Sequence, residues 1–213
     1  MAIENLLTYV HSSTSFFNMQ KIKKVCVYCG SSDKVDSKYF EATKTLAKSL
    51  VKNNVTVVYG GGARGLMGQL ADTVLEEKGR IIGIMPHFMK EVEFHHKDVN
   101  EFIFTADMHE RKKQFMVGVD ALITLPGGCG TFEELMEAIT LKRLGIFTKP
   151  IVILNLDGYY DKLFEMLDLT VEEGFLSEKH KEIWTPFEDP SKVIEAINNS
   201  APWSKDALTF AQV

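Results

Sequence analysis

The sequence predicts an α/β fold, a single domain built on a doubly wound parallel sheet flanked by helices. Short β-branched runs alternate along the chain with longer amphipathic segments, which is typical of parallel strands joined by crossover helices. Most of the short runs are apolar on both faces, as a sheet covered on both sides requires. The 213 residues are 45% hydrophobic and 25% charged, which suits one domain with a full-sized core.

The order of these segments gives the predicted elements. Strands are predicted at residues 24–28, 55–59, 80–85, 101–105, 121–125 and 151–155, and helices at 37–52, 66–78, 108–117, 132–144 and 159–172. A short strand near Ile183-Trp184 and a closing helix to Ala196 follow. Residues 86–100 form the one long irregular connection, and such connections are more often functional than idle. We expect a catalytic domain at 21–200, an N-terminal extension at 1–20 and a C-terminal tail at 201–213.

Charge and cysteine content restrict the class of partner. Twenty-four Lys and Arg against 29 Asp and Glu give a net charge of −5, so no broad positive field exists to attract a nucleic acid. No apolar stretch approaches the length of a membrane span. Three cysteines, an odd number, without a recognisable secretion signal indicate reduced thiols and the cytosol. Cys26-x-x-Cys29 lies partly in an apolar strand, which favours buried thiols over a redox motif.

Three unusual loops leave the predicted strands at their carboxyl ends, where open parallel sheets bind ligands. The first is Cys29-Gly30-Ser31-Ser32. Its glycine lets the backbone approach a ligand, and its hydroxyls can donate hydrogen bonds. Taken alone, this loop is more typical of a Ser-rich turn that caps the next helix.

The second loop, residues 60–68, is rich in glycine. Gly60, Gly62 and Gly65 satisfy G-x-G-x-x-G, so an NAD(P)-linked enzyme has to be considered. However, the loop follows the second strand rather than the first, and the next strand ends at Pro86-His87 without an acid to bind a ribose diol. The loop also does not end in Gly-Lys-Ser/Thr, as a P-loop does. A tight turn with close helix packing explains the glycines about as well as ligand contact does.

The third loop runs from Pro126-Gly127-Gly128 to Glu134 and enters a helix. Its glycines expose backbone N–H groups at a helix N-terminus, which favours binding of an anion such as phosphate. Thr131-x-x-Glu134 also matches a capping box, and by spacing alone we expect Glu134 to stabilise the helix start.

The helix before this loop carries a candidate cation. Met108, Phe115 and Val119 mark its buried face, and Arg111 lies one turn before Phe115, at the edge of that face. A solvated basic patch of Arg111, Lys112 and Lys113 is the alternative. The anion-binding loop predicted nearby favours a phosphate ligand beside Arg111.

Four motifs together resemble the LONELY GUY (LOG) family of cytokinin riboside 5′-monophosphate phosphoribohydrolases. They are Cys29-Gly-Ser-Ser, Tyr59-Gly-Gly-Gly-x-x-Gly-Leu-Met-Gly, Met108-x-x-Arg111-Lys112 and Pro126-Gly-Gly-x-Gly-Thr-x-x-Glu134. The resemblance extends from about Lys24 to the helix after Tyr160, which is most of the chain. The last two motifs are the most specific.

The resemblance implies a Rossmann-like homodimer that hydrolyses N6-modified adenosine 5′-monophosphates, and often AMP, to free base and ribose 5-phosphate. It implies no metal or nucleotide cofactor. Arg111 and Glu134 correspond to the catalytic pair. The substrate contacts it implies are Gly30, Ser31, Glu93, Met108, Lys112, Gly127, Gly128, Gly130, Thr131, Glu133 and Thr140. An older lysine decarboxylase label for this family finds no support, because no lysine lies in a recognisable pyridoxal phosphate setting.

The residue types agree with this chemistry. Breaking an N-glycosidic bond builds positive charge on the ribose, which the Glu134 carboxylate can stabilise. A phosphate and a carboxylate at one helix start repel each other, which is a reason for Arg111. Its role, binding phosphate or positioning the base, is left open. The alternative is a non-catalytic nucleotide or molybdenum cofactor carrier of the same fold. His95, His96 and Asp98 lack a further ligand at suitable spacing for a metal site.

Overall fold

The computed structural model describes residues 21–90, 95–99 and 101–209, and within them it confirms the predicted fold class. Seven strands form one parallel sheet in the order β4-β3-β2-β1-β5-β6-β7. They are β1 (Lys24–Tyr28), β2 (Thr56–Tyr59), β3 (Ile81–Pro86), β4 (Glu101–Thr105), β5 (Ala121–Thr124), β6 (Ile151–Leu154) and β7 (Thr185–Phe187). The first six lie within one residue of their predicted bounds, and the seventh begins shortly after Ile183-Trp184.

Within the described ranges, six α-helices cover the two faces of this sheet. They are α1 (Ser37–Lys52), α2 (Gly65–Glu76), α3 (Met108–Phe115), α4 (Cys129–Arg143), α5 (Asp161–Glu172) and α6 (Val193–Asn199). Short 3-10 turns lie at His87–Lys90, Leu156–Gly158, Glu178–Ile183, Pro190–Lys192 and Lys205–Thr209. Helix α4 begins three residues before its predicted start at 132, with Gly128 as N-cap. None of the helices in the described ranges is long and apolar enough to cross a bilayer.

Successive side chains along the strands point to opposite faces of the sheet and pack into two separate hydrophobic cores. The strand pattern, apolar on both faces, predicted this. Val25 and Val27 pack with α1, α2 and α6, whereas Cys26 and Tyr28 pack with α3, α4 and α5. Cys26 and Cys29 are free and buried, which confirms the interpretation of this C-x-x-C as buried thiols. Burial raises the pKa of both thiols, so neither is a reactive thiolate.

The three unusual loops meet at the point where the strand order reverses, between β1 and β5. The Gly30 N–H donates to Pro126 O at 3.1 Å, and Gly30 O accepts from Leu66 N at 3.0 Å. Gly65 has a φ of +59°, and a Cβ there would lie 2.4 Å from the backbone of Ser31. Contacts this close require glycine, so the tight packing predicted for the second loop is present.

Residues 201–209, from the predicted tail at 201–213, pack against the end of α4. The indole N–H of Trp203 donates to Lys142 O at 2.5 Å, and the Lys142 ammonium lies 5.8 Å from the Trp203 ring centroid. Lys142 is only 1% exposed, and burial lowers its pKa from 10.5 to about 8.

This burial predicts a pH dependence of stability. Between pH 8 and 10.5 the unfolded chain holds the Lys142 proton that the folded chain has released, so the free energy of unfolding rises with pH in that window. Below pH 8 the folded state carries a constant penalty of about 3 kcal/mol. Lys142→Met is therefore expected to unfold at higher urea concentration than the wild type at pH 7. Its free energy of unfolding should also no longer rise between pH 8 and 10.5. Urea unfolding at pH 7, 9 and 10 checks this, with exposed Lys52→Met as the control. Identical pH profiles for the wild type and Lys142→Met would contradict it.

Candidate active site

A cleft of about 270 Å³ opens at the carboxyl ends of β1, β2 and β5. It is lined by Val27, Tyr28, Cys29, Gly30, Ser31, Gly60, Met67, Met89, Arg111, Gly128, Cys129, Gly130, Thr131 and Glu134. All three loops predicted to carry the chemistry contribute to it. The cleft therefore lies at the topological switch point, where open α/β sheets bind ligands.

Arg111 is fixed at the base of this cleft by backbone carbonyls. Its Nε donates to Ile84 O at 3.1 Å and its Nη2 to Gly60 O at 3.0 Å, and these carbonyls lie near the ends of β3 and β2. The guanidinium also lies 5.1 Å from the Phe115 ring centroid. Arg111 is only 6% exposed, so the alternative of a solvated basic patch is wrong for this residue. The two carbonyls hold the guanidinium in place without neutralising its charge, which favours an anionic group in the cleft.

Glu134 faces Arg111 across the cleft. Its Oε1 lies 3.9 Å from Arg111 Nη1, and its side chain is 13% exposed. Because α4 begins at Cys129, Thr131 is the third helical residue and cannot be the N-cap, and the Gly128 cap makes no side-chain hydrogen bond. The capping-box interpretation of Thr131 and Glu134 was therefore wrong. Glu134 lies in the second turn of α4 and contributes its carboxylate to the cleft instead.

The electrostatic effect of Glu134 extends to the cleft wall. Burial first, and then the negative charge of Glu134, raise the pKa of the Cys29 thiol. Burial is also the main reason that the pKa of Tyr28 is raised, with Cys26 and Glu134 adding to it. Cys29 and Tyr28 therefore stay protonated, and among the described residues that line the cleft the acidic group facing Arg111 is that of Glu134.

The start of α4 provides donors on the same side. The N–H groups of its first turn have no acceptor within the helix, as at any helix N-terminus. A Cβ on Gly127 would lie 2.1 Å from Thr131 Oγ1, whereas a Cβ on Gly128 or Gly130 would meet nothing within 4 Å. Gly127 is thus required for the turn itself, whereas Gly128 and Gly130 leave the backbone N–H groups accessible to a ligand. The helix dipole and these donors together favour an anion there.

Comparison with known proteins decides the family. A family model described as "Possible lysine decarboxylase" matches residues 67–197. The chain is 41% identical over 189 residues to cytokinin riboside 5′-monophosphate phosphoribohydrolase LOG3 of Arabidopsis thaliana, covering 89% of this chain and 88% of that protein. It is 38% identical over 189 residues to LOG2 of the same plant, covering 89% of each chain. The chain belongs to the LOG family.

A solved structure supports the fold of this LOG-family chain. The molybdenum cofactor binding protein from Rippkaea orientalis superposes with a TM-score of 0.63 at 21% identity, covering 84% of this chain and 96% of that one. At this identity the likeness shows the fold alone.

The structure brings together most, but not all, of the LOG-motif residues. Those that line the cleft are Gly30, Ser31, Arg111, Gly128, Gly130, Thr131 and Glu134. Gly127 lies directly beside them, and Met108 Sδ lies 3.9 Å from Arg111 Nη1, outside the lining. Glu93 lies outside the described residues.

Three further motif residues lie on the outer side of α3 and α4. The Lys112 ammonium pairs with Glu133 and, at 3.2 Å, with Glu137, and the hydrogen bond to Glu133 raises its pKa. The Thr140 hydroxyl donates to Met136 O of its own helix at 2.8 Å. The Lys112 ammonium is thus neutralised by the two glutamates, the Thr140 hydroxyl is bonded within its own helix, and none of Lys112, Glu133 and Thr140 lines the cleft. Their role as substrate contacts stays a prediction.

Sequence reasoning missed several cleft residues of this LOG chain. Val27, Tyr28 and Met89 line the cleft without having been singled out, and Met67, from the second loop, adds a further apolar wall. Met89 belongs to the His87–Lys90 turn, in the long connection that the sequence marked as functional, where the resemblance pointed to Glu93 and not to Met89. Nearby, His96 pairs with Asp72 at 2.8 Å. Across the described ranges, no group of three or more His, Cys, Asp or Glu side chains is placed to hold a metal.

Proposed function

We propose that the protein hydrolyses the N-glycosidic bond of adenosine 5′-monophosphates, including N6-modified ones, to the free base and ribose 5-phosphate. The observation that carries this proposal is the buried pair of Arg111 and Glu134, 3.9 Å apart beside the N-terminus of α4. The relatives named above are phosphoribohydrolases acting on cytokinin riboside 5′-monophosphates, and the substrate class follows from their names.

The 5′-phosphate binds at the start of α4. The open backbone of Gly128 and Gly130 and the first-turn N–H groups donate to its oxygens, and the helix dipole adds a favourable potential. The Gly30-Ser31 loop lies beside this phosphate site, because the Gly30 N–H donates a hydrogen bond to Pro126 O, at the turn that precedes α4. Binding energy from this remote group holds the sugar in place for the reaction.

Glu134 acts on the sugar. It lies five residues along α4 from Cys129, in the second turn, and its side chain reaches the cleft that the first turn also lines, at a suitable position for the C1′ side of a nucleotide. As C1′–N bond cleavage builds positive charge on the ribose, the carboxylate stabilises that charge or activates the attacking water.

Arg111 balances the two negative groups. Two of its nitrogens are committed to Ile84 O and Gly60 O, and Nη1 faces Glu134. An arginine keeps its protons, so it cannot protonate the departing base and acts by hydrogen bonding and charge. It contacts either the phosphate or the base, and in both cases its positive charge lies between Glu134 and the bound substrate.

Phosphate recognition predicts a large difference between AMP and adenosine. We expect kcat/KM for adenosine to be about a thousandfold lower, equivalent to roughly 4 kcal/mol of lost binding energy in the transition state. Initial rates of adenine release, followed by mass spectrometry, measure the ratio, with N6-isopentenyl-AMP as a third substrate. If adenosine is hydrolysed as well as AMP, the mechanism is wrong. If AMP binds tightly and no base is released, the protein is a carrier.

We further propose that the protein is a homodimer through α5. Of the twelve residues of this helix only Leu167 is buried, whereas Met166 and Leu169 are 57% and 44% exposed, and Phe175 just after it is 72% exposed. Exposed apolar surface of this kind marks an interface. Sedimentation at micromolar concentration should show a dimer, and Met166→Lys with Leu169→Lys should give a monomer. Lys162→Ala, on the same helix, is the control. A monomeric wild type would contradict the proposal.

A cytosolic location also stays a proposal. It is supported by Cys26, Cys29 and Cys129, which are all free thiols.

A further inference from the structure

A second pocket, here called the tyrosine pocket, lies next to the cleft at the Pro126–Gly128 turn. It has a volume of about 340 Å³ and is lined by Gly30, Ser31, Ser32, Val35, Tyr39, Leu66, Pro126, Gly127, Gly128 and Tyr159. Gly30, Ser31 and Gly128 line the active-site cleft as well. The two pockets therefore share a rim, and this rim is where the phosphate of the proposed substrate binds.

The walls of the tyrosine pocket are held in place without a ligand. The Tyr159 hydroxyl donates to Gly127 O at 2.7 Å, and its ring packs edge-to-face on Tyr39 with centroids 5.7 Å apart. Tyr159 and Val35 are nevertheless 39% and 38% exposed, so apolar surface is left uncovered in the pocket. Because the rings are already positioned, a ligand there loses little affinity to the ordering of side chains.

The charge of the pocket restricts what it can bind. None of its lining residues is ionic, and the Lys38 ammonium, 5.2 Å from the Tyr39 ring centroid, is already paired with Asp157 at 2.8 Å. A further phosphate would have no counter-charge there. An aromatic ring would instead meet two tyrosine rings, which are favourable partners for a flat apolar group. Serine hydroxyls lie near the rim of the pocket.

We propose that the tyrosine pocket binds an uncharged aromatic group esterified to the 5′-phosphate of the substrate, so that nucleoside 5′-phosphodiesters are substrates as well as monoesters. The inference rests on the proposed function. In the reaction the C1′–N9 bond breaks, the oxygen of water bonds to C1′, and one proton of that water goes to the departing base. The phosphodiester itself stays intact and leaves as an aryl ester of ribose 5-phosphate.

Two synthetic esters of AMP test this proposal. The phenyl and methyl esters carry the same single negative charge on phosphorus, but only the phenyl ester can fill the pocket. We expect kcat/KM for the phenyl ester to lie within about tenfold of that for AMP, and at least about tenfold above that for the methyl ester, since a buried ring contributes more than 1.4 kcal/mol. Adenine and the ribose phosphate esters are measured by mass spectrometry.

A substitution in the pocket wall separates this effect from the chemistry. Tyr39→Ala should lower kcat/KM for the phenyl ester at least about tenfold and leave AMP hydrolysis within about twofold. Tyr39→Phe, which keeps the ring, should retain the phenyl preference. The inference is overturned if the phenyl ester is cleaved no better than the methyl ester, or if Tyr39→Ala lowers both equally.

Binding distinguishes a failure of this inference from a failure of the proposed function. Calorimetry with the Glu134→Gln protein measures the Kd of both esters without hydrolysis. If the wild type releases no adenine from AMP, the proposed function fails. A tighter Kd for the phenyl ester that is lost in the Tyr39→Ala, Glu134→Gln double variant still supports the pocket, and equal Kd values overturn it.

Discussion

Replacing Glu134 by glutamine is expected to lower kcat for AMP by about a thousandfold, the size of effect seen when one preorganised electrostatic group is removed from a transition state. The amide has the same shape as the carboxylate, but it carries no charge to stabilise the ribosyl cation. The side chain is only 13% exposed and lies opposite Arg111, so bulk water cannot substitute for the lost charge. Initial rates of adenine release measure the effect, and circular dichroism checks the fold.

The control for this substitution is Glu76→Gln, an exposed carboxylate at the far end of α2. It should leave kcat within about twofold of the wild type, because surface substitutions of this kind have small effects. Retention of more than a tenth of the activity by Glu134→Gln would show that its charge does not act in the chemical step.

Arg111→Lys is expected to lower both activity and stability. Lysine has one compact ammonium in place of the planar guanidinium with its several N–H donors. It therefore cannot reach Ile84 O, Gly60 O and the cleft at the same time. Buried carbonyls that lose their donor destabilise the fold by about 1–3 kcal/mol each. We expect kcat/KM for AMP to fall about a hundredfold, because the fixed charge beside Glu134 is displaced.

Steady-state kinetics and thermal unfolding measure the two effects of Arg111→Lys together. Lys113→Met, an exposed position on the same helix, removes a positive charge without touching the cleft and is the matched control. Wild-type kcat/KM in Arg111→Lys would show that the guanidinium only supports the fold. Full stability in the variant would show that the two carbonyl contacts contribute little.

The fold could be predicted because each strand and helix is specified by the pattern of apolar residues within its own short segment. Residues 24–28 and 121–125 are apolar at nearly every position, which only a strand buried on both faces explains, and their bounds agree with β1 and β5 to within a residue. The start of α4 was misplaced, since Gly128-Cys129-Gly130-Thr131 has poor helix propensity, yet the helix begins at Cys129 with Gly128 as its N-cap.

The site was only partly predictable, because its decisive contacts join distant parts of the chain. Arg111-Lys112-Lys113 has the composition of a surface patch, and only carbonyls 27 and 51 residues away show that Arg111 is buried. Thr131-x-x-Glu134 has the spacing of a capping box, and the helix boundary alone shows that it is not one. Met89 carries no chemical signature, and its place in the cleft depends on how a long connection crosses the sheet edge.

The most direct measurement is a crystal structure of the Glu134→Gln protein soaked with AMP. We predict that phosphate oxygens accept hydrogen bonds from the N–H groups that begin α4, and that the residue 134 side chain lies within about 3.5 Å of C1′. A phosphate bound away from that turn, or a residue 134 side chain directed away from the ribose, would contradict the account.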